Sequence, residues 1–224
     1  MVESAAEFRK NGFNDQDAAQ LAEISSMFQN VADETISAGD SASFLISQLI
    51  AFNQTTGDVA ANATHIIDAV NSVSNAFSVS SGDLSKALGI VASTSGAMGN
   101  SMEETLGMTV AITEQTRNAT KAARSLNTIF ARLSQTTDES SDTGKALVAI
   151  YNQLGISLTD TDGQLRSSFD ILSELSEKWA GLDKNTQNYI ALTSAGEIAP
   201  LQGELTGTYL ELHKPNQYGD ILAA

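Results

Sequence analysis

Apolar residues recur at intervals of three and four along most of the chain, which is the spacing of one face of an α-helix. The first clear face consists of Leu21, Ile24, Phe28 and Val31. Asn14 or Asp15 can cap a helix at this point, because the side chains of Asn and Asp accept hydrogen bonds from the first free amides. The pattern therefore predicts a helix that begins just after Asn14.

Seven further segments repeat this spacing. Their apolar faces are Leu45, Leu49 and Phe52; Ile66, Ile67, Val70 and Val73; Leu84, Leu88 and Val91; Met102, Leu106 and Val110; Ala122, Leu126, Ile129, Phe130 and Leu133; Leu147, Ile150, Tyr151 and Leu154; and Phe169, Leu172, Leu175 and Trp179. Turn or cap residues precede several of these segments, with Asp40 as a predicted cap, Asp58 and Ser80 as start signals, and a capping box at Ser101–Glu104.

One segment departs from helical spacing. Between Gly155 and Arg166, apolar and polar residues alternate around Asp162-Gly163. An Asp-Gly pair suits a turn that requires positive φ, and alternation is the period of a strand. We therefore predict a small β-hairpin near residues 156–166.

The resulting fold prediction is all-α: a multi-helix bundle, or an array of antiparallel helices, with this one hairpin. A last short helix is expected from Lys184 to about Thr193, and Gly and Pro then interrupt every period. We divide the chain into an N-terminal helical segment (1–78), a helical core with the hairpin (79–196) and an irregular C-terminal tail (197–224).

Composition and charge exclude several classes of function. The chain has no cysteine, and its net charge is −15, from 27 acidic and 12 basic residues. Such acidity repels phosphate backbones, so we expect no sequence-specific nucleic-acid binding. The longest apolar stretch, Phe44–Phe52, is far shorter than the ~20 residues that a membrane-spanning helix needs, so we expect no membrane segment.

Candidate chemistry is sparse, and we predict no catalytic, cofactor-binding or metal site. His65 and His213 lie far apart in sequence, and His65 is best interpreted as a residue at a helix surface. Asp160–Gly163 resembles a calcium loop, but placing Gly163 sixth puts Leu158 first and Phe169 twelfth, where oxygen ligands are required. The adjacent carboxylates Glu103-Glu104 and Asp138-Glu139 are interpreted as charges at helix starts.

One charge pattern stands out. Arg117, Lys121, Arg124 and Arg132 are spaced to form a basic stripe on one helix of this acidic protein. Two interpretations remain open. The stripe is a solvated face opposite Leu126, Ile129 and Leu133, or it is a contact strip for a partner or a neighbouring copy.

Several motifs in order resemble a known family. They are Ala6–Asn14 (AEFRKNGFN), Ala22–Ala32 (AEISSMFQNVA), Ile66–Asn71 (IIDAVN), Leu106–Thr116 (LGMTVAITEQT), Ser125–Leu133 (SLNTIFARL) and Leu154–Trp179. Together they resemble the core region of tail tape measure proteins, the minor tail protein family of long-tailed phages and prophages. The resemblance runs from about Ala6 to about Gly196.

The resemblance implies a structural role rather than an enzyme site. Family members lie inside the tail tube of the virion, having been made in the bacterial cytoplasm. They set tube length during assembly and are released ahead of the DNA. The implied partners are tail tube proteins, tail assembly chaperones and other copies of the chain. Because members are usually longer, we expect a fragment or truncated form. The alternative is a generic helical interaction module or adaptor.

Overall fold

A computed structural model describes residues 2–32 and 35–195. Within these ranges the chain forms ten α-helices and one 3-10 turn, Gln135–Thr137. The helices are α1 (Val2–Lys10), α2 (Asp15–Val31), α3 (Ala38–Ala51), α4 (Val59–Ala76), α5 (Ser81–Ala97), α6 (Met102–Thr116), α7 (Ala119–Ser134), α8 (Asp142–Gln153), α9 (Ser168–Trp179) and α10 (Lys184–Ala195). The prediction of an all-α fold is confirmed.

Short polar side chains start the helices from α2 to α9. In each, the residue before the first helical position accepts a hydrogen bond from the amide three residues ahead, which satisfies one of the free amides there. The capping box at Ser101–Glu104 is present in full. The predicted cap at Asp40 is wrong: Ser37 caps α3, and Asp40 lies in its first turn, where Ser37 donates to the Asp40 carboxylate at 2.6 Å.

Both ends of the described chain are more helical than predicted. The apolar pattern gave no signal for α1, which is only nine residues long. Its Phe8 is fully buried and meets Phe13 edge to face at 5.9 Å between ring centroids. Tertiary packing therefore holds a helix too short to be stable alone. At the other end, Ser194 and Ala195 extend α10. The predicted tail, residues 197–224, lies outside the described residues.

The predicted β-hairpin is wrong. Across residues 156–166 only one isolated antiparallel bridge forms, between Thr159 and Leu165. The Asp160 carboxylate accepts from the amides of Asp162 and Gln164, each at 2.9 Å, and so forms a compact side-chain-bonded turn next to this bridge. The positive φ that the Asp-Gly pair predicts is present, at +77° for Gly163.

Helix α5 lies at the centre of the packing. It contacts α3, α4, α6 and α7, while α1 packs on α2 and α3, and α10 packs on α7 and α8. Buried side chains from Phe8 to Ala195 form one hydrophobic cluster. The predicted boundary between residues 78 and 79 therefore falls just before α5, which packs against helices on both sides of that boundary.

A close approach between helices involves Gly96 near the end of α5. A Cβ built on Gly96 would clash with the carbonyl oxygen of Ala51, the last residue of α3. Gly89, in the same helix, is exposed and has open space around its Cα. Of these two glycines, only Gly96 is required by packing.

A buried polar cluster fastens α9 to the turn between α5 and α6. The Asn100 amide donates to the hydroxyls of Ser95 and Ser168 at 2.9 and 2.8 Å. Its carbonyl oxygen accepts from the Phe169 amide at 2.9 Å. Asn100 is buried, so a polar side chain here is tolerated because its amide and carbonyl are both hydrogen-bonded.

Tyr151 in α8 is the largest fully buried side chain. Its hydroxyl faces Ser194 of α10, but neither hydroxyl has a hydrogen bond of normal geometry within the described residues. Burial raises the pKa of Tyr151 from 10.0 to about 12, and the nearby Ser194 hydroxyl offsets part of that rise. The contact between α8 and α10 therefore favours a neutral phenol.

Gly96 and Gly89 of α5 give a matched pair of substitutions. We expect Gly96→Ala to lower the free energy of unfolding by about 2–3 kcal/mol, because α3 and α5 must separate. Gly89→Ala should raise it by about 0.5–1 kcal/mol, because alanine favours the helix and has room. Urea unfolding followed by circular dichroism measures both, and equal effects of the two changes would contradict the packing constraint.

Alkaline pH should act through Tyr151. Above pH 10 the unfolded chain releases the phenolic proton while the folded chain keeps it, so stability falls as pH rises towards 12, by about 2–3 kcal/mol in full. Tyr151→Phe should remove this component and change stability little at pH 8. Urea unfolding at pH 8 and pH 11 measures the difference. Tyr189→Phe, at an exposed tyrosine, is the control and should retain the wild-type pH dependence.

Candidate interaction surface

The structure divides the predicted basic stripe into two parts. Arg117, Lys121 and Arg124 are exposed around the start of α7, and we call these three residues the basic patch. Leu126, Ile129 and Leu133 are buried on the opposite face of the helix, as expected for a solvated stripe. Arg132 does not belong to the patch.

Arg132 has a structural role at the other end of α7. Its guanidinium donates to the carbonyl oxygens of Leu192 and Thr193 at 3.2 and 2.9 Å. These carbonyls lie in the last turn of α10, where backbone acceptors lack helical partners and a positive charge is favourable. Arg132 therefore fastens α10 to α7.

A fixed turn between α6 and α7 positions the basic patch. Arg117 ends α6 in the left-handed conformation, with φ of 52°. Asn118 then caps α7, accepting from the Lys121 amide at 2.8 Å. The Thr116 hydroxyl bonds the Asn118 backbone, at 3.1 Å to its carbonyl and 3.3 Å from its amide. The three basic side chains thus project from an ordered corner.

These side chains line an open cavity of about 330 Å³. Its wall also includes Asp83, from the first turn of α5. That carboxylate lies 3.9 Å from the Lys86 ammonium, so another cation already shares its charge. The cavity therefore keeps a positive character.

Four of the eight other Lys and Arg residues of the described chain have carboxylate partners. The pairs are Arg9 with Asp15 at 2.9 Å, Lys10 with Glu7 at 3.2 Å, Lys86 with Asp83 at 3.9 Å and Arg166 with Glu174 at 2.6 Å. In contrast, no ion pair joins the basic patch to a carboxylate among the described residues. The patch is a local concentration of positive charge on a chain of net charge −15.

The other sequence candidates occupy ordinary positions. His65 is about half exposed on α4, and its Nε2 lies 2.7 Å from a carboxylate oxygen of Glu103 in α6. Glu104 completes the capping box of α6. Asp138 and Glu139 precede α8, whose cap is Ser141, so their interpretation as charges at a helix start is wrong. His213 lies outside the described residues.

A second cavity, of about 270 Å³, lies where α3 and α5 end and α6 begins, and sequence reasoning missed it. Polar side chains line much of it, among them Asn53, Gln54 and Asn100. They come from two turns that are far apart in the sequence, so no local motif could have indicated it. Within residues 2–32 and 35–195, no three His, Asp or Glu side chains group as metal ligands.

Two further observations concern the class of protein. No helix in the part of the chain that the structure describes is long and apolar enough to cross a membrane. No solved structure matches the chain. The family model for phage-related minor tail proteins matches residues 1–196, which include every described helix. The chain therefore belongs to the phage-related minor tail protein family.

Proposed function

We propose that the chain is a structural, non-catalytic part of a tape measure protein, which takes part in tail assembly and in setting tail length. The observation that carries the proposal is that the family match and the helical part of the chain cover the same residues. The family match covers residues 1–196, and the described residues within it are almost entirely helices and short turns. Family membership makes the chain a phage tail component, and the ruler role is the further step.

The physical basis for a ruler is the regularity of the α-helix. Each helical residue advances about 1.5 Å along the axis, so a helical chain converts residue number into length. The longest helix here, α4, has 18 residues and reaches about 27 Å. Because the helices fold back on each other in the bundle, a ruler role in the assembled tail requires them to open into a more extended arrangement.

The turns of the bundle are compatible with such opening. Several consecutive helices are joined by only a few residues, as between α6 and α7, where Arg117 and Asn118 form the whole connection. A change of backbone angles at such a turn can align two helices end to end. In the proposed state the chain lies in the lumen of the tail tube beside tube proteins and other copies, after delivery by assembly chaperones, and it leaves ahead of the DNA.

The direct test changes the number of helical residues in the phage or prophage that encodes the chain. An in-frame duplication of residues 81–134, which span α5 to α7, should lengthen the tail by about 80 Å if these residues act as an extended helical ruler. Electron microscopy of negatively stained virions measures the length.

The control is Asn152→Ala at an exposed position of α8, which should leave tail length unchanged. Immunoblotting of purified virions shows whether the duplicated protein is incorporated. Virions that contain the longer protein but have tails of wild-type length would exclude length determination by this region. Normal tails in a strain that lacks the protein would exclude the role in tail assembly as well.

A further inference from the structure

Helix α7 carries opposite charges at its two ends. The basic patch surrounds its N-terminus, and the exposed Asp138, Glu139 and Asp142 follow the 3-10 turn at its C-terminus. We call these three residues the acidic segment. The ten residues of α7 that follow Arg124 keep the two groups at least about 15 Å apart. The patch and the segment of one molecule are therefore too far apart to pair with each other.

The start of α7 departs from the usual charge pattern. Acidic residues are favourable near a helix N-terminus and basic residues near its C-terminus, because they oppose the helix dipole. Seven helices here, including α2, α3 and α9, have acidic residues in the first turn. The first turn of α7 has none and contains Lys121 instead. Lys121 therefore adds to the dipole at the start of α7, whereas Arg132 in the last turn of α7 and Asp142 in the first turn of α8 follow the usual pattern.

We propose that the basic patch docks the acidic segment of a second copy of this chain, in a head-to-tail contact. Three cations meet three carboxylates, and the two surfaces lie at opposite ends of one rigid helix. A contact between unlike surfaces leaves a free patch at one end and a free segment at the other, so it can repeat along a line or close into a ring.

The charge of the whole chain favours this one contact over others. Two copies with a net charge of −15 repel each other in most orientations. An approach that brings the basic patch towards a negative surface reduces that repulsion. Electrostatic complementarity of this kind acts chiefly on specificity and association rate.

The acidic segment is ordered before docking. Asp138 accepts from the hydroxyl and the amide of Ser140 at 2.7 and 2.9 Å, and these bonds lower the pKa of Asp138. The carboxylate is thus ionised at neutral pH. The Ser141 hydroxyl reaches the Gln135 side chain at 3.0 Å, and a Cβ at Gly144 would clash with the Gln135 carbonyl. Because the loop is held in place, docking orders few further groups.

Charge reversal tests the contact in solution. The first variant, R117E/K121E/R124E, reverses the patch, and the second, D138K/E139K/D142K, reverses the segment. Sedimentation velocity at low ionic strength should show concentration-dependent association of the wild type. Each variant alone should associate at least about tenfold more weakly. An equimolar mixture of the two variants should regain association, because unlike charges then face each other again.

The control separates local charge from net charge. The variant K145E/K178E/K184E changes three lysines outside the patch and alters net charge as much as the patch variant does. It should associate at least about tenfold more tightly than the patch variant. Circular dichroism checks folding. The patch variant should differ little in stability from the wild type, because an acid at position 121 is favourable at the start of α7 and an acid at position 117 is unfavourable at the end of α6. In 1 M salt, where the Debye length is about 3 Å, wild-type association should disappear.

Several outcomes would overturn the proposal. They are a wild type that stays monomeric at all concentrations, association that persists in 1 M salt, a mixture of variants that fails to associate, and a control as weak as the patch variant. Patch-dependent binding of duplex DNA by a monomeric chain would overturn it too. The contact does not depend on the ruler role. The tail-length experiment adds a second copy of the patch but removes neither surface, and the association experiment does not involve tail length.

Discussion

The close packing of helices around α5 is the constraint on which the rest of the structure depends. Four helices contact α5, so it must present surfaces that allow close approach on several sides. Its sequence meets this demand with buried Ala87, Ala92 and Ser95 between larger Leu and Val side chains. At Gly96 even a methyl group is too large, because the end of α3 occupies that space. A low aromatic content, 6% of the chain, suits such thin interfaces.

Small residues bring helices close, but several of them are polar, and burial requires partners for their hydroxyl groups. The bundle solves this locally. Ser95 and Thr105 bond each other at 2.6 Å between α5 and α6. Thr109 and Thr113 each donate to the carbonyl four residues earlier, at 2.7 Å. Asn100 then joins this polar layer to the first turn of α9. The core has few large side chains to fix how its helices pack. Buried hydrogen bonds help to specify one arrangement of the helices, because each bond requires its two groups to lie in a particular direction.

The sequence predicted those parts of the fold that local chemistry determines. Caps at Asn14, Ser80 and Ser101 could be identified because a short polar side chain and the amide three residues ahead suffice to form them. The hairpin prediction was wrong because an Asp-Gly pair is compatible with two local structures, a β-hairpin and a turn bonded by a side chain. An Asp-Gly turn fits a hairpin, but the side chain of Asp160 supplied the acceptor that a partner strand would have provided. Helix α1 was missed because its stability comes from the burial of Phe8, which is a tertiary effect.

The basic stripe shows the same limit at the level of function. Spacing placed Arg117, Lys121, Arg124 and Arg132 on one helix, but it could not show that α10 ends beside Arg132 and binds it. The spacing also could not show that the left-handed turn at Arg117 places this residue beside Lys121 and Arg124, next to the start of α5. In the tertiary structure Arg132 therefore stabilises the contact between α7 and α10. The three residues of the basic patch have no carboxylate partner among the described residues. A chain selected for stability alone would place acids at the start of α7, and a surface that gives up that stabilisation is typical of a site that is selected for contact with another molecule.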